Sequence, residues 1–178
     1  MMTLGISTDL FLEIHVLLSL IGIASGIIVL YGLVTGTSSG GWTALFLATT
    51  ILTSATGFPL PPFGFDPPRA VGVLSLLLLA IVIVALYKFR LVGPWRWTYI
   101  GTAVTALYLN SFVGVIQAFS KLSFLHSLAP TQSEPPFLIA QIIVLVAFVV
   151  LDVTAVSRFH PKAVTRMYEP PYPRRFAV

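Results

Sequence analysis

The stretch VGVLSLLLLAIVIVAL, residues 71–86, carries no charge and a single hydroxyl group. As an α-helix it would rise about 24 Å and satisfy its own backbone polar groups. An uncharged run of this kind is typical of a membrane-spanning helix. Together with four further stretches it fills most of the 178-residue chain; the five are Leu10–Val34, Trp42–Phe58, Ala70–Tyr87, Thr98–Phe119 and Phe137–Val156.

The composition supports the same conclusion. Only 9% of the residues are charged, whereas soluble domains carry about 25%. We therefore predict an all-α integral membrane bundle of five transmembrane helices at residues 1–158, followed by a Pro/Arg-containing cytoplasmic tail at residues 159–178. The absence of cysteine excludes disulfides, thiolate metal ligands and thioether-bound haem. A net charge of +4 is interpreted as a topology signal and as contacts to anionic lipid, not as nucleic-acid binding.

The basic residues predict an orientation. With five spans, eight of them fall on one side of the membrane and two on the other. Because cytoplasmic loops are enriched in Lys and Arg, the N-terminus is predicted outside and the C-terminus in the cytoplasm. The larger group comprises Lys88, Arg90, Arg96, Arg158, Lys162, Arg166, Arg174 and Arg175, and the smaller group Arg69 and Lys121.

The first two spans suggest close helix packing. Gly22 and Gly26 form a small-xxx-small pair, which lets another backbone approach closely; we favour packing inside this bundle over a homodimer contact. The second span is rich in threonine and has only 17 residues, which rise about 25 Å against a hydrocarbon core of about 30 Å. A helix of this composition is expected to be tolerated in lipid.

The fourth span carries a polar stripe. Asn110, Gln117 and Lys121 lie at i, i+7 and i+11, within about 20° of one another on a helix, and Gly114 lies in the same stripe. Asn110 falls near the membrane centre, where its amide requires a partner. The favoured interpretation is an interhelical hydrogen bond, and the alternative is part of a ligand or proton pathway.

The fifth span has a second stripe, with Gln141 near the outer surface and Asp152 near the inner one. An ionised carboxylate within a span costs about 2.5–3.5 kcal/mol on insertion scales, so Asp152 is expected to face the bundle. A structural ion pair is the favoured interpretation, and a functional carboxylate is the alternative. The candidate partners are Lys88, Arg90, Arg96 and the hydroxyls of Thr98 and Thr102.

Polar residues also collect at the predicted outer end. They are candidates for an outward-facing ligand site, although an interfacial polar ring would have the same composition. No cofactor is predicted; haem ligation by His15 and His126 is kept as a minor alternative, and no metal site is expected. The candidate residues are Glu13, His15, Gln117, Lys121, His126 and Gln141.

Enzyme signatures are missing from the sequence. We find no HExxH spacing, no glycine-rich phosphate loop and no nucleophile elbow. No catalytic residue is therefore assigned.

The segments Leu52–Phe65 and Tyr108–Gln141 resemble a group of small bacterial polytopic inner-membrane proteins that have no assigned activity. The resemblance covers most of the chain from the second span to the fifth. It implies a bacterial cytoplasmic-membrane location and supplies no site residue.

These observations leave three functional hypotheses. The first is a non-enzymatic accessory or assembly subunit of a larger membrane complex, surrounded by lipid and bound to a protein partner or to further copies of itself. The second is a small oligomeric transporter or channel. The third is a haem- or quinone-associated redox protein using Glu13 and His15.

Overall fold

The computed structural model describes residues 2–3, 5–60 and 67–160, most of which are helical. A short hairpin of two strands, each two residues long, precedes the helices, with Met2 paired to Ser7 and Thr3 to Ile6. The elements of the described residues are β1 (Met2–Thr3), β2 (Ile6–Ser7), α1 (Thr8–Thr35), α2 (Gly40–Thr56), α3 (Pro67–Ile83), α4 (Trp95–Lys121), α5 (Ser123–His126) and α6 (Pro135–Arg158).

The five long helices coincide with the five apolar stretches. Helices α1, α4 and α6 extend beyond their stretches at both ends, whereas α2 begins two residues earlier and ends two residues earlier than Trp42–Phe58. Local signals set their ends. The Ser7 hydroxyl accepts a hydrogen bond from the Leu10 N–H at 3.3 Å and caps α1, which ends at Gly36 in the left-handed conformation that glycine tolerates best. Helix α3 continues into a π-helical turn, Val84–Lys88, and α6 begins with prolines after Glu134.

Within the described residues, four helices are long and apolar enough to cross a bilayer: α1, α3 with its π-helical turn, α4 and α6. Helix α2, with 17 residues, is shorter. The chain is thus an all-α, multi-pass membrane protein. The proline-rich segment 61–66 and tail residues 161–178 lie outside the described residues, so the predicted tail is not described beyond His160.

Successive long helices run antiparallel. His15, near the start of α1, contacts Thr56 at the end of α2, and Arg96 at the start of α4 reaches Phe159 just beyond α6. We call the end of the bundle where α1 begins the N-terminal end, and the end where α6 finishes the C-terminal end.

Helix α4 lies at the centre of the bundle. It packs against α1, α3 and α6, and eight of its residues are buried. In α6 only Gln141 and Ala155 are buried. The core is therefore concentrated around α4, while α6 lies at its edge.

Candidate functional site in the membrane-spanning bundle

Helix α1 approaches α2 and α4 most closely at Gly26. A Cβ atom on Gly26 would lie 2.5 Å from Leu107 Cδ1 and 2.9 Å from Phe46 Cδ2, both shorter than atoms tolerate. Leu107 and Phe46 are themselves almost fully buried. The small-xxx-small pair thus packs inside the bundle. Gly114 packs less tightly, with its Cβ position 3.3 Å from Ile23 Cδ1.

On the N-terminal side of this apolar contact, Asn110 joins α4 to α1. The Ser19 hydroxyl donates to Asn110 Oδ1 at 2.9 Å, and Asn110 Nδ2 donates to the Ser19 carbonyl oxygen at 3.4 Å. The Asn110 side chain is buried. Both functional groups of the amide therefore have partners, as an interhelical hydrogen bond in lipid requires.

The threonines of α2 fall into two classes. Thr49 and Thr56 donate to the carbonyl oxygens of Leu45 and Leu52 at 2.7 Å. Thr50 and Thr53 are also buried, but their hydroxyls have no hydrogen-bond partner among the described residues. Helical spacing places these threonines on the side of α2 that faces α1.

His15 lies at the N-terminal end of this interface. Its Nδ1 lies 2.9 Å from Thr56 Oγ1. The Thr56 hydroxyl already donates to the Leu52 carbonyl oxygen, so this pair suits the neutral His15 tautomer with its proton on Nδ1, in which Nε2 is an acceptor. The imidazole ring also packs beside Gly57.

Together these residues form a polar interface between α1, α2 and α4, which we call the polar seam. It begins at half-buried His15 and ends at Gly22, two helical turns or about 10 Å deeper. Beyond it, the Gly26 contact with Phe46 and Leu107 is apolar. The seam consists of His15, Ser19 and Gly22 on α1, Thr49, Thr50, Thr53 and Thr56 on α2, and Asn110 on α4.

A separate cleft of about 150 Å³ opens at the C-terminal end between α1 and the start of α2. Its lining includes Gly32, Ser39, Trp42 and Tyr99. The apolar contact at Gly26 lies between this cleft and the polar seam along α1.

The structure places the six residues proposed for the outer ligand site in different surroundings. No hydrogen bond within the described part of the chain joins any two of them. Gln141 is buried, and its Nε2 donates to the Phe112 carbonyl oxygen at 3.3 Å while Oε1 has no partner. His15 belongs to the polar seam. The remaining four, Glu13, Gln117, Lys121 and His126, are exposed.

Asp152 is half-buried on α6, and its Oδ1 atom is buried without a hydrogen-bond partner. The expected ion pair does not form within the described residues. Arg96 instead donates to the Phe159 carbonyl oxygen at 2.6 Å, because the last carbonyls of a helix lack intrahelical partners and attract cations. The Thr98 hydroxyl donates to the Pro94 carbonyl oxygen just before α4, and the Thr102 hydroxyl donates to the Thr98 carbonyl oxygen. Lys88 and Arg90 are exposed.

Sequence reasoning did not assign Thr50, Thr53 and Ser19 to a site. The i, i+3 spacing of the two threonines and the position of Ser19 beside Gly22 are visible in the sequence. The spacing does not show which helix these residues face, nor which of their hydroxyls have no hydrogen-bond partner among the described residues.

The described residues contain no group of three or more His, Cys, Asp or Glu side chains that is suited to hold a metal ion. Comparison with models of protein families, with curated proteins and with solved structures gives no match to this chain.

Proposed function

We propose that this protein is a non-enzymatic accessory or assembly subunit that docks within the membrane against a larger complex through α6. The observation that carries the proposal is the Asp152 carboxyl group, which is only half-buried and has no hydrogen-bond or ion-pair partner among the described residues. Acyl chains offer no hydrogen-bond donor. A neighbouring transmembrane helix with a Lys, Arg or amide side chain would supply one, since ionisable groups in spans are typically paired.

The surroundings of Asp152 support this assignment. Val149 and Val153, each within one turn of it, are 54% and 64% exposed, and the exposed apolar surface continues along α6 to Leu138. An apolar face alone is equally suited to lipid. The carboxylate at its margin favours a protein partner with a polar group at the same depth.

We further propose five crossings, with the N-terminus outside and the C-terminus in the cytoplasm of a bacterial inner membrane. Support for the fifth crossing comes from α2, which packs against α1 from Thr56 back to Phe46 and so lies at the same depth. Support for the orientation comes from the cations Lys88, Arg90, Arg96 and Arg158 at the C-terminal end. A C-terminal alkaline phosphatase fusion should be inactive and a fluorescent-protein fusion bright; the reverse pattern would reject this orientation.

Purification in mild detergent, combined with site-specific photo-cross-linking, tests the docking. A photoreactive residue at Val153 is expected to capture one partner at fixed stoichiometry, and Asp152→Leu is expected to abolish both capture and co-purification. The matched control is Leu77 on α3, which is 59% exposed and should capture no protein. Recovery of a lone particle, identical for the wild-type chain and Asp152→Leu, would reject the proposal.

A small transport unit is the second candidate. The specific observation in its favour is that the polar seam and the C-terminal cleft approach each other from opposite ends of the bundle, separated by the apolar contact at Gly26. Flux through proteoliposomes that carry the purified chain, reduced by Asn110→Leu, would favour this candidate over the first.

A further inference from the structure

We infer that the polar seam holds a short file of water molecules, which enters the membrane at the His15 end and stops at Asn110. This goes beyond a docking role, which depends on α6 and Asp152. The inference concerns a binding site for water between three helices.

The first support is the pair of unpartnered hydroxyls. Thr50 is 1% exposed and Thr53 is 9% exposed, and neither hydroxyl has a hydrogen-bond partner among the described residues. Thr49 and Thr56, on the same helix, bond back to backbone carbonyls. A hydroxyl buried without a partner destabilises the folded chain, and water removes that cost when two to four polar groups surround it.

The second support is that polar atoms from three helices converge at Gly22. A Cβ atom there would lie 3.0 Å from Thr50 Oγ1 and 3.1 Å from Asn110 Nδ2. Both polar atoms therefore face the notch that the missing side chain leaves in α1. A methyl group at this position would press against both polar atoms, so the missing side chain is what lets Thr50 and Asn110 approach α1.

The chemistry of the available groups selects water as the ligand. Thr50 and Thr53 each offer a donor and acceptors, His15 Nε2 is an acceptor, and Asn110 Nδ2 has a second N–H. A cation would meet that N–H group, and an anion would find no positive charge in the seam. Water both donates and accepts, so it matches this mixture of donors and acceptors.

The geometry also gives the file a direction. His15, Thr56 and Ser19 are only half-buried, so the N-terminal end of the seam is open to the membrane interface. At Gly26, Leu107 and Phe46 close the other end with apolar atoms. The seam is thus hydrated from one side and ends near the membrane centre.

The chain contains no cysteine, so single cysteine variants give a test without background. Methanethiosulfonates react with the thiolate, which forms only in contact with water. With a small reagent of this class, Ser19→Cys and Thr53→Cys should react at least about tenfold faster than Leu17→Cys. Leu17 is the matched control because it lies on α1 at similar depth and is 58% exposed, on the lipid side.

Equal rates for Ser19→Cys, Thr53→Cys and Leu17→Cys in monodisperse protein would overturn the inference. Water-edited solid-state NMR on the unmodified chain covers the case in which a variant does not fold. Thr50 should then receive water polarisation faster than Ser25, which is equally buried but donates to the Ile21 carbonyl oxygen. Equal rates of water-polarisation transfer to Thr50 and Ser25 would also overturn the inference.

Discussion

Helices α4 and α6 both carry a polar side chain inside the membrane, but they meet its requirements differently. Asn110 on α4 exchanges two hydrogen bonds with Ser19, and α4 is surrounded by neighbouring helices. Asp152 on α6 has a buried oxygen without a partner in the part of the chain that the structure describes, and α6 contributes only two buried residues. The polar group in the interior is thus hydrogen-bonded within this chain, whereas the polar group at the edge is expected to require a partner.

The largest effect is expected where the interior is tightest. Gly26→Ala should lower the free energy of unfolding in detergent by about 2–3 kcal/mol, because its methyl group would overlap the buried Leu107 and Phe46 side chains. Denaturant titration by circular dichroism measures this. Gly101→Ala, where a Cβ atom meets nothing within 4 Å, is the control and should be neutral or slightly stabilising. Equal losses for both variants would contradict the packing described for α1.

Asn110→Ala should lower the unfolding free energy by about 1–2 kcal/mol, since it removes both hydrogen bonds to Ser19. The same titration measures the loss. Gln117→Ala removes an exposed amide from the same helix and should change stability little. An Asn110→Ala variant as stable as wild type would show that the α1–α4 hydrogen bonds contribute no net stability.

Asp152→Leu, unlike these two variants, should not lower the free energy of unfolding. Because the carboxylate has no ion pair within the described chain, its replacement is expected to leave the isolated protein unchanged or to stabilise it by about 1 kcal/mol. Thermal unfolding in detergent, with Asp152→Asn as the near-isosteric control, measures the effect. A large loss of stability for both variants would restore the ion-pair interpretation.

The C-terminal end of α6 depends on Arg96. Arg96→Gln should weaken the hydrogen bond to the Phe159 carbonyl by about 1 kcal/mol, so that amide exchange in the last turn of α6 becomes roughly fivefold faster. Hydrogen–deuterium exchange with mass spectrometry detects this. Arg90→Gln, at an exposed position, is the control. No change in exchange would mean that other contacts hold this end.

The smallest effect is expected at Glu134, outside the spans. Desolvation alone would raise the pKa of its carboxyl, but hydrogen bonds from Thr131 and from backbone N–H groups outweigh it, so the pKa lies below its ordinary value. The carboxylate thus stabilises the turn fully above the unfolded-state pKa, and this stabilisation is lost as the pH falls through the lower folded-state pKa.

Amide exchange at Thr131 and Ser133, corrected for the intrinsic pH dependence of exchange, should therefore increase below the ordinary titration range of Glu. In Glu134→Gln this added pH dependence should disappear. Its persistence in that variant would assign the effect to another group.

The long helices could be predicted from local sequence because a bilayer requires long apolar segments. The predicted span Ala70–Tyr87, for example, lies within the observed helical segment Pro67–Lys88. The π-helical turn and the short α5 were not predicted, since neither has a hydrophobic period of its own. Asp152 was expected to pair with a cation at its own depth. Arg96 donates to the Phe159 carbonyl oxygen instead, which lies two helical turns or about 10 Å beyond Asp152 along the axis of α6.

The sequence by itself determined that this chain forms apolar helices, because hydropathy and length act on each segment independently. It also identified Asn110, Gln117 and Asp152 as polar groups that a membrane makes costly. Only the tertiary structure decided which of them have partners. That outcome depends on which helices adjoin and how they are rotated, and hence on contacts between residues such as Ser19 and Asn110 that are far apart in the chain.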